Sequence, residues 1–134
     1  NYTIDYSEYK SRFLKLQKII TLTEGNTSWD EKTTNSWYYF DSKTSTQSDT
    51  CKYEKTSGCS YGWLYDRTNT TCTTFGCKNN SDQKTNGYWT ASSFASGNDR
   101  AWIVHYYGAV VDAIVHNSIF GVRPVITVLK SQLN

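Results

Sequence analysis

The residue types able to do chemistry in this chain of 134 residues fall into two separate groups. Four cysteines, Cys51, Cys59, Cys72 and Cys77, share one Thr/Ser/Gly-rich segment, whereas both histidines, His105 and His116, lie in the apolar last third. An even number of cysteines clustered in polar loops predicts two disulfides and an oxidising compartment. Of the three possible connectivities, local pairing is favoured: Cys51–Cys59 and Cys72–Cys77. Each bridge would restrict the unfolded chain and add roughly 2–3 kcal/mol to a loop with little apolar content of its own. A zinc site is the competitor, but no CxxC knuckle is present and neither histidine is close in sequence. A Ser/His/Asp triad can be assembled from many serines and aspartates, yet no GxSxG elbow supports one.

The elements that must position these groups are clearest between Gly87 and Leu129, where GYWTASS, AWIV and GVRPVITV are separated by small polar stretches with glycines. β-Branched and aromatic enrichment between glycine breaks predicts strands and turns. Alternation places Trp102, Val104 and Tyr106 on one face and Ile103, His105 and Tyr107 on the other. Gly108 is the natural turn into a returning strand, Val110 to Val115. Pro124 cannot donate to a ladder, so the last strand, Val122 to Val128, should lie at an edge or bend near it. A compact antiparallel sheet is expected.

Upstream, Tyr6, Tyr9, Phe13, Leu16 and Ile20 recur at spacings of three and four, predicting a helix from Asp5 to Ile20 with an Asp5/Glu8 capping box. Ser28 and Glu31 repeat the capping signal for a short second helix. Ser36 to Phe40 reads as an extended aromatic segment, residues 42–50 as an exposed loop, and YGWLYDR at 61–67 as a return to the core. The length suits one domain with a core of moderate size. A net charge of +2 with 19% charged residues gives no footprint for nucleic acid or an anionic membrane. No stretch is long and apolar enough to span a bilayer, and no signal peptide is visible at Asn1. The start at Asn1, without a methionine, predicts a fragment whose anchor or signal would lie upstream.

The last third also lacks something. From Thr85 to Leu129 there is no lysine, glutamate, glutamine or methionine, although lysine is the commonest charged residue elsewhere. The residue types found at 105–120 are all reachable from an AAC asparagine codon by changing its adenines, and the missing ones are not. A buried sheet also excludes long charged side chains, but Asp112, His116 and Asn117 do not fit a core.

The run GYWTASS…AWIV…G…GVRPVITV resembles the C-terminal variable region, here about 87–126, of bacterial and phage proteins diversified by retroelements. The resemblance implies an α+β C-type-lectin-like fold close to the formylglycine-generating-enzyme branch. It would make residues 1–134 a single ligand-binding domain with one or two N-terminal helices and long disulfide-stapled loops. It places templated positions at Ala109, Val111, Asp112, Ala113, Ile114, His116, Asn117 and Ile119, exposed on a frame that includes Trp89, Trp102, Val115 and Arg123. Phe94, Tyr107 and Phe120 would add aromatic contacts, and Asn98, Asp99, Arg100 and His105 polar ones.

An enzyme of the formylglycine-generating type would need reactive cysteines in a cleft, and a related iron enzyme would need more than two histidines. A calcium lectin would need clustered oxygen ligands around a cis-proline, whereas Arg123 and Val125 flank the lone Pro124. Asn98-Asp99 is better explained as a turn than as a calcium site. The expectation is therefore a non-enzymatic recognition domain with no cofactor and no metal. It would be extracellular, on a bacterial surface or phage particle, and would bind a protein or surface glycan of another cell. The alternatives are a structural, adhesive or pilus-like domain of the same fold and, third, the enzyme. The frame predicts burial of Trp89 and Trp102. The apolar setting of Arg123 predicts that its guanidinium is held by backbone carbonyls or a carboxylate.

Overall fold

Of the three apolar runs separated by glycines, the first two become neighbouring inner strands of the sheet and the third contributes its edge. In the computed structural model, residues 12–24, 29–33, 36–51, 57–65, 85–117 and 119–125 are described. The elements in chain order are α1 (Leu16–Leu22), β1 (Tyr38–Tyr39), α2 (Gly62–Tyr65), β2 (Gly87–Ser93), β3 (Arg100–His105), β4 (Ala109–Ile114) and β5 (Gly121–Val122). The five strands are ordered β1-β4-β3-β2-β5. The chain is thus α+β, with one mixed sheet and little helix. The expected all-antiparallel sheet is corrected at one edge, because β5 runs parallel to β2. The chain leaving β4 next pairs at the far edge of β2 instead of making another hairpin. Among the described residues no helix is long and apolar enough to cross a membrane.

β3 lies at the middle of the sheet, so both its faces are covered: Trp102, Ile103 and Val104 are all fully buried. The period-two alternation sorts them as expected. Trp102 and Val104 join Leu16, Ile20, Tyr38, Phe40, Tyr65 and Tyr88 in the larger core. Ile103 faces Ala109, Val111, Ala113 and Phe120 in a smaller one. Trp89 is only half-buried, its ring edge-on to Phe120 with centroids 5.3 Å apart. The β3–β4 turn needs a left-handed residue to reverse the chain in three steps. Gly108 supplies it at φ +82°, donating its N–H to the His105 carbonyl at 3.0 Å.

The first helix differs from its sequence reading. Residues 1–11, which hold Asp5 and Glu8, lie outside the described residues, and residues 12–15 are not helical. Arg12 bridges Val125, and Leu14 accepts the Ala91 N–H at 2.9 Å, so this stretch lines the outer edge of β2. Phe13 accordingly points outward, 45% exposed. The helix begins only at Leu16, because its first N–H groups find acceptors from distant segments. Leu16 N–H donates to Ser92 Oγ at 2.9 Å and Gln17 N–H to Glu31 Oε2 at 3.0 Å. Glu31 therefore does not cap a second helix as expected; it sits in a turn, and Ser28 lies outside the described residues.

Glu31 is buried, accepts a further hydrogen bond from Ser92 Oγ at 2.5 Å and receives the Trp102 indole N–H on its carbonyl at 3.1 Å. Removing its carboxylate takes the acceptor from the buried Ser92 hydroxyl and the part-buried Gln17 N–H, and hydrogen bonds to a charged group contribute about 1.5–3 kcal/mol. Glu31→Ala is expected to lose at least that amount in urea denaturation. A variant within about 0.5 kcal/mol of the parent, the usual range for surface changes, would rule out a capping role.

The expected Cys51–Cys59 disulfide is present, while Cys72–Cys77 lies outside the described residues. Of the 61–67 segment, residues 61–65 return to the core through α2, where Leu64 and Tyr65 are buried, and residues 66–67 lie outside the described residues. The strand expected from Val122 to Val128 is replaced by a two-residue edge strand, β5, that ends before Pro124; Val125 makes only an isolated bridge to Arg12, and residues 126–128 lie outside the described residues.

Candidate functional site

The fifteen candidate contact residues separate into three places along β3 and β4. At one end, the β2–β3 connection is closed by Arg100 N–H to the Gly97 carbonyl (3.3 Å) and Phe94 N–H to the Arg100 carbonyl (3.1 Å). Asn98 and Asp99 are exposed at its tip. The chain leaving β4 is tied to the same tip by Val115 N–H donating to the Asp99 carbonyl at 2.8 Å. A turn then follows, with Asn117 N–H on the Ile114 carbonyl at 2.9 Å and Asn117 Oδ1 accepting the Ile119 N–H at 3.2 Å. Asn98, Asp99, Ile114, His116 and Asn117 are thereby gathered at the end of a hydrogen-bonded sheet.

Val115 joins them with 55% of its surface exposed. Its sequence reading as a frame residue is corrected, because β4 stops at Ile114 and the inward alternation stops with it. The only available signal was the polar His116-Asn117 pair that follows.

Beneath this end, Arg100 and Asp112 form an ion pair across neighbouring strands. They are diagonal in the register, in which Arg100 faces Ile114 and Asp112 faces Trp102. The Asp112 side chain is only 13% exposed. Both were expected to meet a ligand; the geometry turns them toward each other. Spacing alone could not show this, since it needs the β3–β4 register.

The hairpin end carries a ring cluster. His105 lies 3.8 Å from Tyr107 and 4.5 Å from Tyr106 between ring centroids, and Phe120 stands 6.1 Å away at a steep angle. All but Phe120 are half-buried. Tyr106 N–H donates to the Asn86 carbonyl at 3.0 Å, and Gln47 Nε2 donates to the Tyr107 carbonyl at 3.1 Å. Sequence reading treated Tyr106 only as a strand residue, yet its ring completes the cluster.

Between the two ends, the expectation of exposure fails. Ala109, Val111, Ala113 and Phe120 are buried, at 0%, 4%, 7% and 8% exposure. Odd positions of β4 face Ile103, and Phe120, with Ile119 half-buried beside it, packs over that same side. These four are core residues and not surface contacts. Phe94 is half-buried, its ring edge-on to Trp102 at 4.9 Å.

Arg123 meets its expectation. Its Nη1 donates to the Leu64 carbonyl at 2.6 Å and the Trp63 carbonyl at 3.3 Å, and its guanidinium lies 4.5 Å over the Tyr88 ring. Burial pushes the Tyr88 hydroxyl up to about 12, with Arg123 pulling the other way. Both residues line an apolar cleft of about 100 Å³ with Leu14, Ile19 and Leu64, beside the exposed Trp63 and Leu22. Sequence reading missed this cleft because its walls come from four separate segments.

A group of possible metal ligands among the described residues, Asp41 with Cys51 and Cys59, has its ligand atoms within 4.8 Å of one another. With both sulfurs bonded to each other, it offers only a carboxylate. No known protein family, no curated protein and no solved structure matches this chain.

Proposed function

We propose that this chain is a non-enzymatic ligand-recognition domain that binds through the end of the sheet formed by Asn98, Asp99, Ile114, Val115, His116 and Asn117. The Val115–Asp99 hydrogen bond carries the reading. It joins two connections into one surface supported by strands, and binding residues commonly stand on loops held by a rigid scaffold. A contact surface already ordered loses little conformational freedom when it binds. Val115 adds exposed apolar area to that surface.

On this reading the resemblance to retroelement-diversified, C-type-lectin-like proteins applies to a smaller set of variable contacts than expected. Ile114, His116 and Asn117 remain in it, while Ala109, Val111 and Ala113 leave it. The partner is a protein or surface glycan of another cell, met outside a bacterial cell or on a phage particle. The Cys51–Cys59 disulfide suits such an oxidising location, and it takes both sulfurs out of thiol chemistry. A second reading, a structural or adhesive domain with no diversified site, is favoured by the burial of Ala109, Val111 and Ala113.

The variant N98S/V115S/H116S, confined to exposed positions of that surface, separates the two. Surface substitutions each shift stability by no more than about 0.5 kcal/mol, so its melt should stay close to the parent's. On glycan arrays and on intact bacterial cells, the labelled parent should bind a subset of targets that the variant loses. If the variant keeps every interaction of the parent, or unfolds as readily as Trp102→Ala, the proposed surface is wrong.

A further inference from the structure

The turn carrying His105, Tyr106 and Tyr107 is supported by a segment that a disulfide closes. Cys51 and Cys59 join the end of the 36–51 segment to the start of the 57–65 segment, with Cα atoms 5.7 Å apart. From the second segment, Tyr61 N–H donates to Asp41 Oδ1 at 3.2 Å and Tyr65 Oη donates to Asp41 Oδ2 at 2.8 Å. Burial, and then the Asp41 carboxylate, raise the Tyr65 hydroxyl pKa well above its ordinary value.

The Tyr65 ring lies directly beneath Gly108: a Cβ placed there would sit 2.9 Å from the ring's Cζ. Phe40 stacks on Tyr65, with centroids 6.5 Å apart and planes 6° from parallel, and donates its N–H to the Gly108 carbonyl at 3.1 Å. Gln47, in the stretch that leads directly into Cys51, donates its Nε2 to the Tyr107 carbonyl at 3.1 Å. Every one of these supports comes from residues 40–65, and the disulfide is the covalent link between the two halves of that stretch.

We infer that the Cys51–Cys59 disulfide is a redox-sensitive brace for the His105–Gly108 turn, acting through Asp41, Tyr65 and Gln47. A small dithiol exchanges with the bridge and leaves as its cyclic disulfide, and each cysteine ends as a free thiol. The opened loop gains freedom, and the contacts on Asp41 must then order it without covalent help. The turn loosens and its ring cluster disperses. Trp102 and Val104, buried within the larger core, keep their protection, since local opening follows the weakest contacts first. The consequence for ligand binding rests on the recognition reading above; the coupling does not, and it is measured without a ligand.

Amide exchange followed by NMR tests the brace in the whole chain. The C51A/C59A variant isolates this bridge from Cys72 and Cys77. It should speed exchange at Phe40, Tyr106 and Gly108 by about tenfold or more while leaving Trp102 and Val104 unchanged. Tyr65→Phe keeps the disulfide and the ring but removes the hydrogen bond to Asp41, and should speed the same three amides. It also carries the test alone if the cysteine variant does not fold. Unchanged exchange at those amides in either variant overturns the inference, as does an equal rise at Trp102 and Val104.

Discussion

Replacing Trp102 with alanine should lower the unfolding free energy by about 3–5 kcal/mol, the range for emptying a large aromatic site. Three observations place it at the upper end. The side chain is fully buried at the centre of the larger core. Its ring meets Trp29 at 5.2 Å and Phe94 at 4.9 Å, both edge-on, so truncation removes two favourable aromatic pairs as well as apolar area. Its indole N–H also leaves the Glu31 carbonyl without that donor. A domain of this size has about 5–15 kcal/mol in total, so the variant should unfold at much lower urea. Trp102→Phe, which refills part of the space but not the hydrogen bond, should fall between the two. A Trp102→Ala loss below about 1 kcal/mol, far under the range for such sites, would mean that the sheet is not organised around β3.

Gly87→Ala should be comparably damaging for a backbone reason. Gly87 has φ +146°, and a Cβ there would stand 2.1 Å from the Val104 carbonyl oxygen and 2.9 Å from the His105 Cα. Both are backbone atoms of the paired strand, with no flexible end to move aside. The first β2–β3 pair, Gly87 with His105, must therefore separate. A strained backbone position costs on the order of 1–3 kcal/mol, and the lost pairing adds to it, so a total of about 4 kcal/mol is expected, in the exceptional range for one substitution. Gly58→Ala is the control. Gly58 also has a positive φ, +79°, but a Cβ there meets nothing within 4 Å. Its cost should be only the left-handed penalty of about 1–2 kcal/mol. Equal losses at the two glycines would show that close strand approach at Gly87 does not matter.

The sequence by itself determined features whose causes lie within a few residues. The alternation that puts Trp102 and Val104 opposite Ile103 follows from the pleat of one strand. The reversal at Gly108, the edge position of β5 before Pro124 and the short-range Cys51–Cys59 bridge likewise need only local geometry. A charge inside an apolar run must find partners, which is why backbone carbonyls around Arg123 could be expected. Residue types in the candidate site were legible in the same way: polar and small side chains stand where long charged ones are absent.

Only the tertiary structure decided where the first helix starts, because its N–H groups are met by Ser92 and Glu31 from distant segments, and residues 12–15 prefer the free edge of β2. It decided the parallel pairing of β5, which depends on which edge of the sheet the chain reaches after β4. It decided that Arg100 and Asp112 satisfy each other, which requires the register of two strands. It also divided the candidate contacts into exposed His116 and buried Val111, although both belong to the same set of codons. A residue's chemistry is written at its own position, whereas its exposure is set by whatever packs over it, here Ile103 and Phe120 over Val111.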